Sequence, residues 1–379
     1  MRVLTATPVP DPEPAATMAH PLATAGRNDP RAYLLKQSHV AATLGSPFTG
    51  EILAAAYRQL WRAPRLDATI AEWPLDPAAS AMALRLNAGL HALARRGTFA
   101  DLSALYAGDH TEFDRAVGEA LELGEPTLLV WMAHPTQTNE VRRSSAFMAA
   151  LSLLAKRHGM PFDLLEVGAS AGLNLLLDHY AHDLGGVAFG DSNSRLRLQP
   201  DWQGAPPPMA HVAIASARGA DLRPLRLDDS HTRERLMSYV WPGDEVRSEC
   251  LAQAMLLARD DVPLVDRESA GTWLSQRLRE PQAAGTMRVV QHSMVLQYLP
   301  EDELLALKAS ILEAGHRATR DRPLARIGLE WNRDRTQVLL CLTSWAGRAG
   351  DGERQILAAC HPYGAWLKWH LPAQGQVTA

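Results

Sequence analysis

Hydrophobic residues recur at two different spacings along the chain, and the spacing changes near position 126. Before that point, four segments carry apolar residues at helical intervals, at residues 31–44, 49–61, 78–95 and 113–123. Breaks rich in glycine and proline separate these segments, as is usual between helices. We therefore predict an N-terminal helical region of about five helices over residues 29–125.

Beyond Pro126 the pattern is typical of alternating strands and helices. An apolar run at residues 127–133 predicts a strand, and a helix follows with Phe147, Leu151 and Leu154 on one face. Further strands are predicted at residues 163–167, 212–217, 262–265, 287–291, 325–331 and 337–342, with a hairpin at 186–198. Helices are predicted at residues 173–180, 246–259 and 302–314, the last of them ending at Gly315.

This alternation predicts the α/β class, with a Rossmann-like, doubly wound and mainly parallel sheet. We place that domain at residues 126–379, after the helical region, which we expect to cap it. Residues 1–28 have prolines at every second position from 8 to 14 and predict a disordered leader.

Composition narrows the classes of function. A formal net charge of −4 over 379 residues gives no sign of the basic face that nucleic-acid-binding domains carry. The N-terminus lacks the apolar core of a signal peptide, and no apolar run is long enough to span a bilayer. Three cysteines without a CxxC pair indicate a reducing compartment, so we expect a cytoplasmic protein without a membrane partner. No spacing of histidine, cysteine and carboxylate predicts a metal site.

The segment with the clearest chemical content is residues 164–175, where an apolar strand opens into a turn of very small residues and then into a helix. Such a turn lets a ligand approach the backbone near a helix N-terminus. A nicotinamide fingerprint, GxGxxG, does not fit, because Ser170 and Leu173 stand where glycines belong.

Two interpretations of this turn remain. Gly168-Ala169-Ser170-Ala171-Gly172 matches the GxSxG nucleophile elbow of serine hydrolases, with Ser170 as nucleophile, but no oxyanion segment precedes it. The alternative is an S-adenosylmethionine loop, in which an acidic residue at the strand end is followed by spaced glycines. Glu166, Gly168 and Gly172 fit that pattern, with Ser170 in place of the middle glycine.

Four short segments of the sequence resemble an uncharacterised bacterial family of unknown function, DUF2332. They lie at residues 137–140, 166–175, 240–242 and 361–366, and the resemblance covers nearly all of the chain after residue 30. The family is similar to class I S-adenosylmethionine-dependent methyltransferases. The resemblance therefore implies a methyltransferase-type Rossmann fold, with S-adenosylmethionine as cofactor and a small molecule as substrate.

The resemblance also implies roles for individual residues. The loop residues Glu166, Gly168, Ser170 and Gly172 would line the methionine and ribose side of the cofactor. An acidic residue after the second strand would hold the ribose hydroxyls; Asp221 is preferred over Asp191. Asp266 would lie near the adenine, and Gln291, His292 and Ser293 beside the transferred methyl group. An Asp/Asn-Pro-Pro-Tyr motif is absent from this last segment, so methylation of nucleobase amino groups is not indicated.

Two further predictions have structural alternatives. His292 is a candidate general base, because imidazole titrates near neutrality, or else a buried histidine with satisfied hydrogen bonds. Gln137, Asn139, Glu140 and Arg142 form a polar cluster that would close over the amino and carboxyl groups of the cofactor, or else cap the next helix. Glu330 is expected to reach the cleft or to serve as a buried structural partner. The predicted activity is methyl transfer to a small molecule; a serine hydrolase and a non-catalytic descendant of the fold are the alternatives.

Overall fold

The computed structural model describes residues 29–372. The predicted disordered leader, residues 1–28, lies outside the described residues. The first third of the described chain is helical, as predicted. It contains six helices, where the sequence predicted about five and showed apolar spacing in four segments. The helices are α1 Ala32–Thr43, α2 Pro47–Gln59, α3 Pro64–Ala71, α4 Met82–Arg95, α5 Ala100–Ala107 and α6 Phe113–Ala133. Proline at the first position of α2 and α3 suits a helix start, where its missing N–H has no intrahelical acceptor to lose.

The predicted strand at residues 127–133 is wrong. These residues are the last two turns of α6, which continues through Pro126. Leu128 and Met132, four residues apart, are buried against the other N-terminal helices, whereas Val130 is exposed. A short apolar run does not distinguish a strand from a buried helical turn, and here the partners of the run are helices.

A large sheet forms the second layer. In chain order, the strands are β1 Phe162–Val167, β2 Ala181–Leu184, β3 Val187–Gly190, β4 Arg197–Leu198, β5 Asp201–Gln203, β6 Ile214–Asp221, β7 Val265–Arg267, β8 Met287–Ser293, β9 Leu324–Trp331, β10 Val338–Trp345, β11 Arg354–Cys360 and β12 Trp366–Trp369. Nine of them form one sheet in the order β5-β12-β11-β10-β9-β8-β1-β6-β7, and β3-β2-β4 form a small separate sheet.

The strand order determines where a ligand can bind. The run β7-β6-β1-β8-β9 is parallel throughout, and the chain changes direction across the sheet between β1 and β8. In open α/β sheets, ligands bind at the carboxyl ends of the strands beside such a change. The predicted mainly parallel α/β sheet is confirmed, whereas the antiparallel strands β10, β11 and β12 at one side were not predicted as such.

Helices cover both faces of the sheet. The helices that follow the N-terminal region are α7 Ser144–His158, α8 Ser230–Ser238, α9 Glu245–Asp260, α10 Ala270–Arg277 and α11 Glu301–Arg317. Of these, α7 packs on one face of the sheet and α10 and α11 on the other, while α8 packs against α4 and α9. Alternate residues of β1 point to opposite faces, as strand geometry requires: Leu164 packs in the same cluster as α7, and Leu165 in the cluster of α10 and α11. Within the described residues, no helix is long and apolar enough to cross a membrane.

Three local predictions differ from the structure. Residues 173–179 form 3-10 turns with a kink at Leu176 rather than an α-helix. The hairpin is β2 and β3, joined by Gly185 and Gly186, and not residues 186–198. Gly315 does not end α11, which continues to Arg317. It is buried in the helix because the ring of Trp345 lies where a side chain would project.

Candidate functional site

A cavity of about 680 Å³ lies between the N-terminal helices and the carboxyl edge of the parallel strands. Its roof comes from α1, α2 and α4, with Tyr33, Leu53 and Arg85 among the lining residues. Each of the five parallel strands contributes to its floor, at or just after its carboxyl end. The floor residues include Gly168, Ser170, Asp221, Glu268, Ser293, Val295 and Trp331. The cavity therefore lies where the topology predicts a ligand site.

The turn after β1 has the backbone that its small residues predict. Gly168, Ser170 and Gly172 have φ values of +71°, +57° and +77°. A Cβ atom added to Gly168 would lie 2.5 Å from Cγ2 of Val295, and one added to Gly172 would lie 2.4 Å from Cβ of Pro263. Both glycines are thus required by packing as well as by conformation. Gly168 and Ser170 also border the cavity, whereas Gly172 does not.

The backbone N–H groups of this turn all donate within the protein. Those of Gly168 and Ala169 donate to the carbonyl of Ala220, and that of Gly172 to Ala169. Side chains accept the other three: Asp221 from Ser170, and Asn139 from Ala171 and Leu173. Glycine-rich loops that bind phosphate leave such donors free for the ligand. This turn therefore offers a smooth surface but no phosphate cradle.

Asp221 ends β6, the strand beside β1, as preferred from the sequence. One carboxylate oxygen accepts from the N–H of Ser170 at 3.0 Å, and the other from the N–H of Arg223 at 2.8 Å and from Gln137 Nε2 at 3.2 Å. An ionised carboxylate has about four acceptor sites. Three are used, so one remains for a ligand hydroxyl. Asp191 belongs to the turn after β3 in the small sheet and does not line the cavity.

The polar cluster before α7 is placed partly as predicted. Gln137, Asn139 and Glu140 border the cavity, but Asn139 caps the turn after β1 rather than α7. Glu140 caps the short 3-10 turn Val141–Arg143 through the N–H of Arg142. Its other oxygen accepts from Nε of Arg247 at 2.8 Å in a buried ion pair.

Arg142, which the sequence suggested as a cavity residue, does not line it; its backbone packs against Gly364. The next residue, Arg143, is 8% exposed and borders the cavity beside Ser293, Pro362 and Tyr363. It donates to the Pro362 carbonyl at 2.9 Å. The segment named from the sequence therefore borders the cavity through Arg143 rather than through Arg142.

Glu166 and Gln291 lie beneath the floor and do not reach the cavity. Burial raises the pKa of Glu166 to about 8, and hydrogen bonds from the side chains of Gln291 and Asn174 oppose that rise. Oε2 of Glu166 and Oε1 of Gln291 both lack a hydrogen-bond donor among the described residues. A proton on Oε2 would remove the cost of a buried charged oxygen without a donor, so the protonated form suits this environment.

His292 is likewise enclosed and does not line the cavity. Nε of Arg326 donates to Nε2 of His292 at 3.0 Å, so the imidazole proton lies on Nδ1 and is donated to Glu330 at 2.8 Å. Burial lowers the pKa of His292, and the Glu330 carboxylate opposes that shift. Both ring nitrogens are occupied, which leaves no lone pair for the proton of a substrate. The geometry corrects the expectation of a general base in favour of its structural alternative.

Glu330 is also a structural partner. Besides accepting from His292, it accepts from the backbone N–H of Val295 at 3.1 Å and thereby holds the segment that packs on Gly168.

Asp266 does not face the cavity. It accepts from Arg218 through two bonds of 2.8 and 2.7 Å, and from Trp273 Nε1 at 2.7 Å. These partners lower the pKa of Asp266, Arg218 having the largest effect. Two residues later, Glu268 borders the cavity and occupies the place expected for Asp266. Side chains two residues apart in a strand point to the same face, so the sequence pattern alone did not distinguish Glu268 from Asp266 as the residue at the cavity.

Ser170 meets only one requirement of a nucleophile elbow. Its positive φ is the strained conformation of such a turn. Its Oγ, however, has no hydrogen-bond partner among the described residues, so no described histidine is placed to accept its proton.

The sequence predicted an N-terminal helical region that caps the sheet domain, but it named no individual roof residue. Those residues come from helices far away in sequence. The described residues also contain no cluster of three or more histidine, cysteine or carboxylate side chains able to hold a metal ion.

Comparison with known proteins gives one result. The model of a family described as an uncharacterized protein conserved in bacteria, DUF2332, matches residues 31–369. No curated protein and no solved structure matches the chain.

Proposed function

Because this chain belongs to the DUF2332 family, which does not fix an activity, we propose from the site itself that it binds S-adenosylmethionine and methylates a small molecule. The observation that carries the proposal is the meeting of two strand ends at one cavity. Gly168 and Ser170 after β1, and Asp221 at the end of β6, border the same 680 Å³ space.

The character of the turn supports a nucleoside without a diphosphate. All backbone N–H groups from Gly168 to Leu173 have protein acceptors, so a phosphate would find no donor there. An adenosyl group needs instead a flat backbone surface and an acceptor for a ribose hydroxyl. The cavity supplies both, the second through Asp221. Glu268, at the end of β7, would face the adenine. A volume of this size falls within the roughly 300–1,000 Å³ of ligand sites.

When bound, S-adenosylmethionine would supply an electrophilic methyl group, and the protein would position the acceptor in line with it. The described residues around the cavity include no histidine. The proposed activity therefore rests on binding and orientation rather than on a positioned imidazole base.

Isothermal titration calorimetry with S-adenosylmethionine and S-adenosylhomocysteine tests the proposal. We expect both to bind the wild-type chain, and Asp221→Asn to weaken binding by about 10-fold or more, because a charged acceptor for a ribose hydroxyl is lost. Gly168→Arg should abolish binding, because its Cβ would meet Cγ2 of Val295 at 2.5 Å and force that part of the cavity floor to move.

Asp191→Asn is the matched control, since Asp191 lies on the small sheet, away from the cavity. No binding by the wild-type chain, or equal loss in both aspartate variants, would overturn the proposal. A fluorophosphonate probe examines the hydrolase alternative independently: labelling of Ser170 would favour hydrolysis.

A further inference from the structure

Arg143 is one of two buried arginines among the described residues that have no carboxylate partner. The other, Arg85, donates through Nε to the Ser80 carbonyl at 3.0 Å and through Nη1 to the Met132 carbonyl at 2.8 Å. Arg247 and Arg288 are also buried, and each donates through Nε to a carboxylate at 2.8 Å, from Glu140 and Asp163 respectively. No described carboxylate lies within salt-bridge distance of Arg143, although it is only 8% exposed. Glu140 and Glu330 attract its charge only from beyond that distance. A buried charge without a close counter-ion is costly.

The hydrogen bonds of Arg143 leave part of its guanidinium unused. Nε donates to the Pro362 carbonyl at 2.9 Å, and Nη1 is 3.5 Å from Oγ of Ser293. Nη2 has no hydrogen-bond acceptor among the described residues. Because Arg143 lines the cavity, its open donors face the space that a ligand would occupy.

The surroundings suit an anion carried by an organic molecule. Tyr298 borders the same part of the cavity and is 50% exposed, although protein atoms surround its hydroxyl and raise its pKa. Tyr363 and Trp241 add aromatic surface. A guanidinium presents parallel N–H donors that match the two oxygens of a carboxylate.

We infer that Arg143, together with Ser293, binds a carboxylate of the ligand at the β8 end of the cavity. The position lies across the floor from Asp221, at the other side of the change in strand direction. The inference rests on the proposed function for the identity of the ligand. The carboxylate comes either from the amino-acid end of the cofactor or from an acidic acceptor.

Calorimetry with two nucleosides distinguishes these sources. S-adenosylhomocysteine has the amino-acid end, and 5′-methylthioadenosine lacks it. If the cofactor supplies the carboxylate, Arg143→Gln should bind S-adenosylhomocysteine about 10- to 100-fold more weakly and methylthioadenosine unchanged. Arg143→Lys keeps the positive charge but lacks the parallel N–H donors of the guanidinium. Its affinity for S-adenosylhomocysteine should therefore lie between those of the wild type and Arg143→Gln.

Benzoate and its neutral isostere benzamide test whether the carboxylate bound by Arg143 belongs to the acceptor. If the acceptor supplies the carboxylate, benzoate should raise the melting temperature of the wild-type chain more than benzamide does, and Arg143→Gln should remove the difference. The inference is overturned if neither the nucleoside pair nor the benzoate pair responds to Arg143. Absence of nucleoside binding by the wild-type chain would instead overturn the proposed function, and the benzoate result would still decide the role of Arg143.

Arg288→Gln controls for the loss of a buried arginine. It should lower the melting temperature by leaving Asp163 unpaired, without changing ligand affinity. Arg143→Gln should lower the melting temperature less than Arg288→Gln does, because it loses the hydrogen bond to the Pro362 carbonyl but no ion pair. If Arg143→Gln does not fold, Arg143→Lys carries the test.

Discussion

At the scale of single residues, Glu166 shows how burial can reverse the usual preference of a carboxyl group. It is the residue before the last in β1, at the middle of the parallel run of strands, is 2% exposed, and has no cation within salt-bridge distance among the described residues. Desolvation raises its pKa to about 8, so the folded state holds a proton that the unfolded chain releases at lower pH.

This difference predicts a pH dependence of stability. Below the unfolded pKa, near 4.5, both states are protonated and the contribution of Glu166 is fully present. Between that value and about 8 the folded state binds more protons, so stability falls as the pH rises, by at most roughly 1.4 kcal/mol per unit. Glu166→Gln should be increasingly more stable than the wild type from pH 5 to pH 8 in urea unfolding. The exposed Glu72→Gln is the control; parallel pH profiles for Glu166→Gln and wild type would contradict the prediction.

The Glu140–Arg247 pair predicts strong coupling. Their side chains are 6% and 3% exposed, and the guanidinium also lies 4.2 Å from the ring centroid of Tyr363. Arg247→Gln should reduce the free energy of unfolding by about 3–5 kcal/mol, because Glu140 is left buried without a counter-ion. Glu140→Gln should cost less, because Arg247 keeps a contact with Asp244 at 3.6 Å. The double variant should lose much less than the sum.

A double-mutant cycle measured by urea unfolding checks this prediction. The exposed pair Arg58–Asp114 is the matched control and should couple by only about 0.2–1 kcal/mol. If the losses in free energy of unfolding at Glu140 and Arg247 are additive, the two side chains are not energetically coupled, and the prediction is wrong.

At the scale of elements, tertiary packing neighbours determined the secondary structure where the local sequence pattern allowed more than one form. Residues 127–133 are equally suited to a strand and to a buried helical turn, and they became helical because α4 lies beside them. Gly315 has the composition of a helix stop, yet it serves as a contact. A Cβ there would lie 2.6 Å from the ring of Trp345 on β10.

Gly315→Ala should therefore destabilise the protein. Helix propensity alone would favour alanine by about 1 kcal/mol, whereas overpacking costs about 1–3 kcal/mol. We expect a lower melting temperature, and partial recovery when Trp345→Phe provides space. A stabilised Gly315→Ala would mean that α11 can move away from the sheet without cost.

At the scale of the whole molecule, the cavity belongs to neither layer alone. The sheet edge provides the floor, with Gly168 and Asp221, and the N-terminal helices provide the roof, with Tyr33 and Arg85. A ligand that fills this space should stabilise both layers, because binding to the native state opposes every opening that exposes the site.

Hydrogen–deuterium exchange with and without S-adenosylhomocysteine measures this effect. Protection should increase in β1 and β6 and also in α4, while the β2–β3 hairpin should be unaffected. Protection confined to the sheet edge would show that the ligand does not touch the roof.

The sequence alone determined most of what repeats locally. Apolar spacing gave α1, α2, α7, β1, β8 and β9 within a few residues, and the small residues from Gly168 to Gly172 marked the turn at the carboxyl end of the central strand. These features depend on neighbours within a few positions, which a sequence displays directly.

Only the tertiary structure decided which side chains reach the cavity. Arg143 rather than Arg142 enters it, Glu268 rather than Asp266 borders it, and His292 is enclosed between Arg326 and Glu330. The roof comes from helices that are distant in sequence. Each of these outcomes depends on strand register and on how layers pack across long separations, and side-chain direction changes with every residue along a strand. The local sequence pattern therefore predicts which segments border the cavity, and long-range packing determines which of their residues reach it.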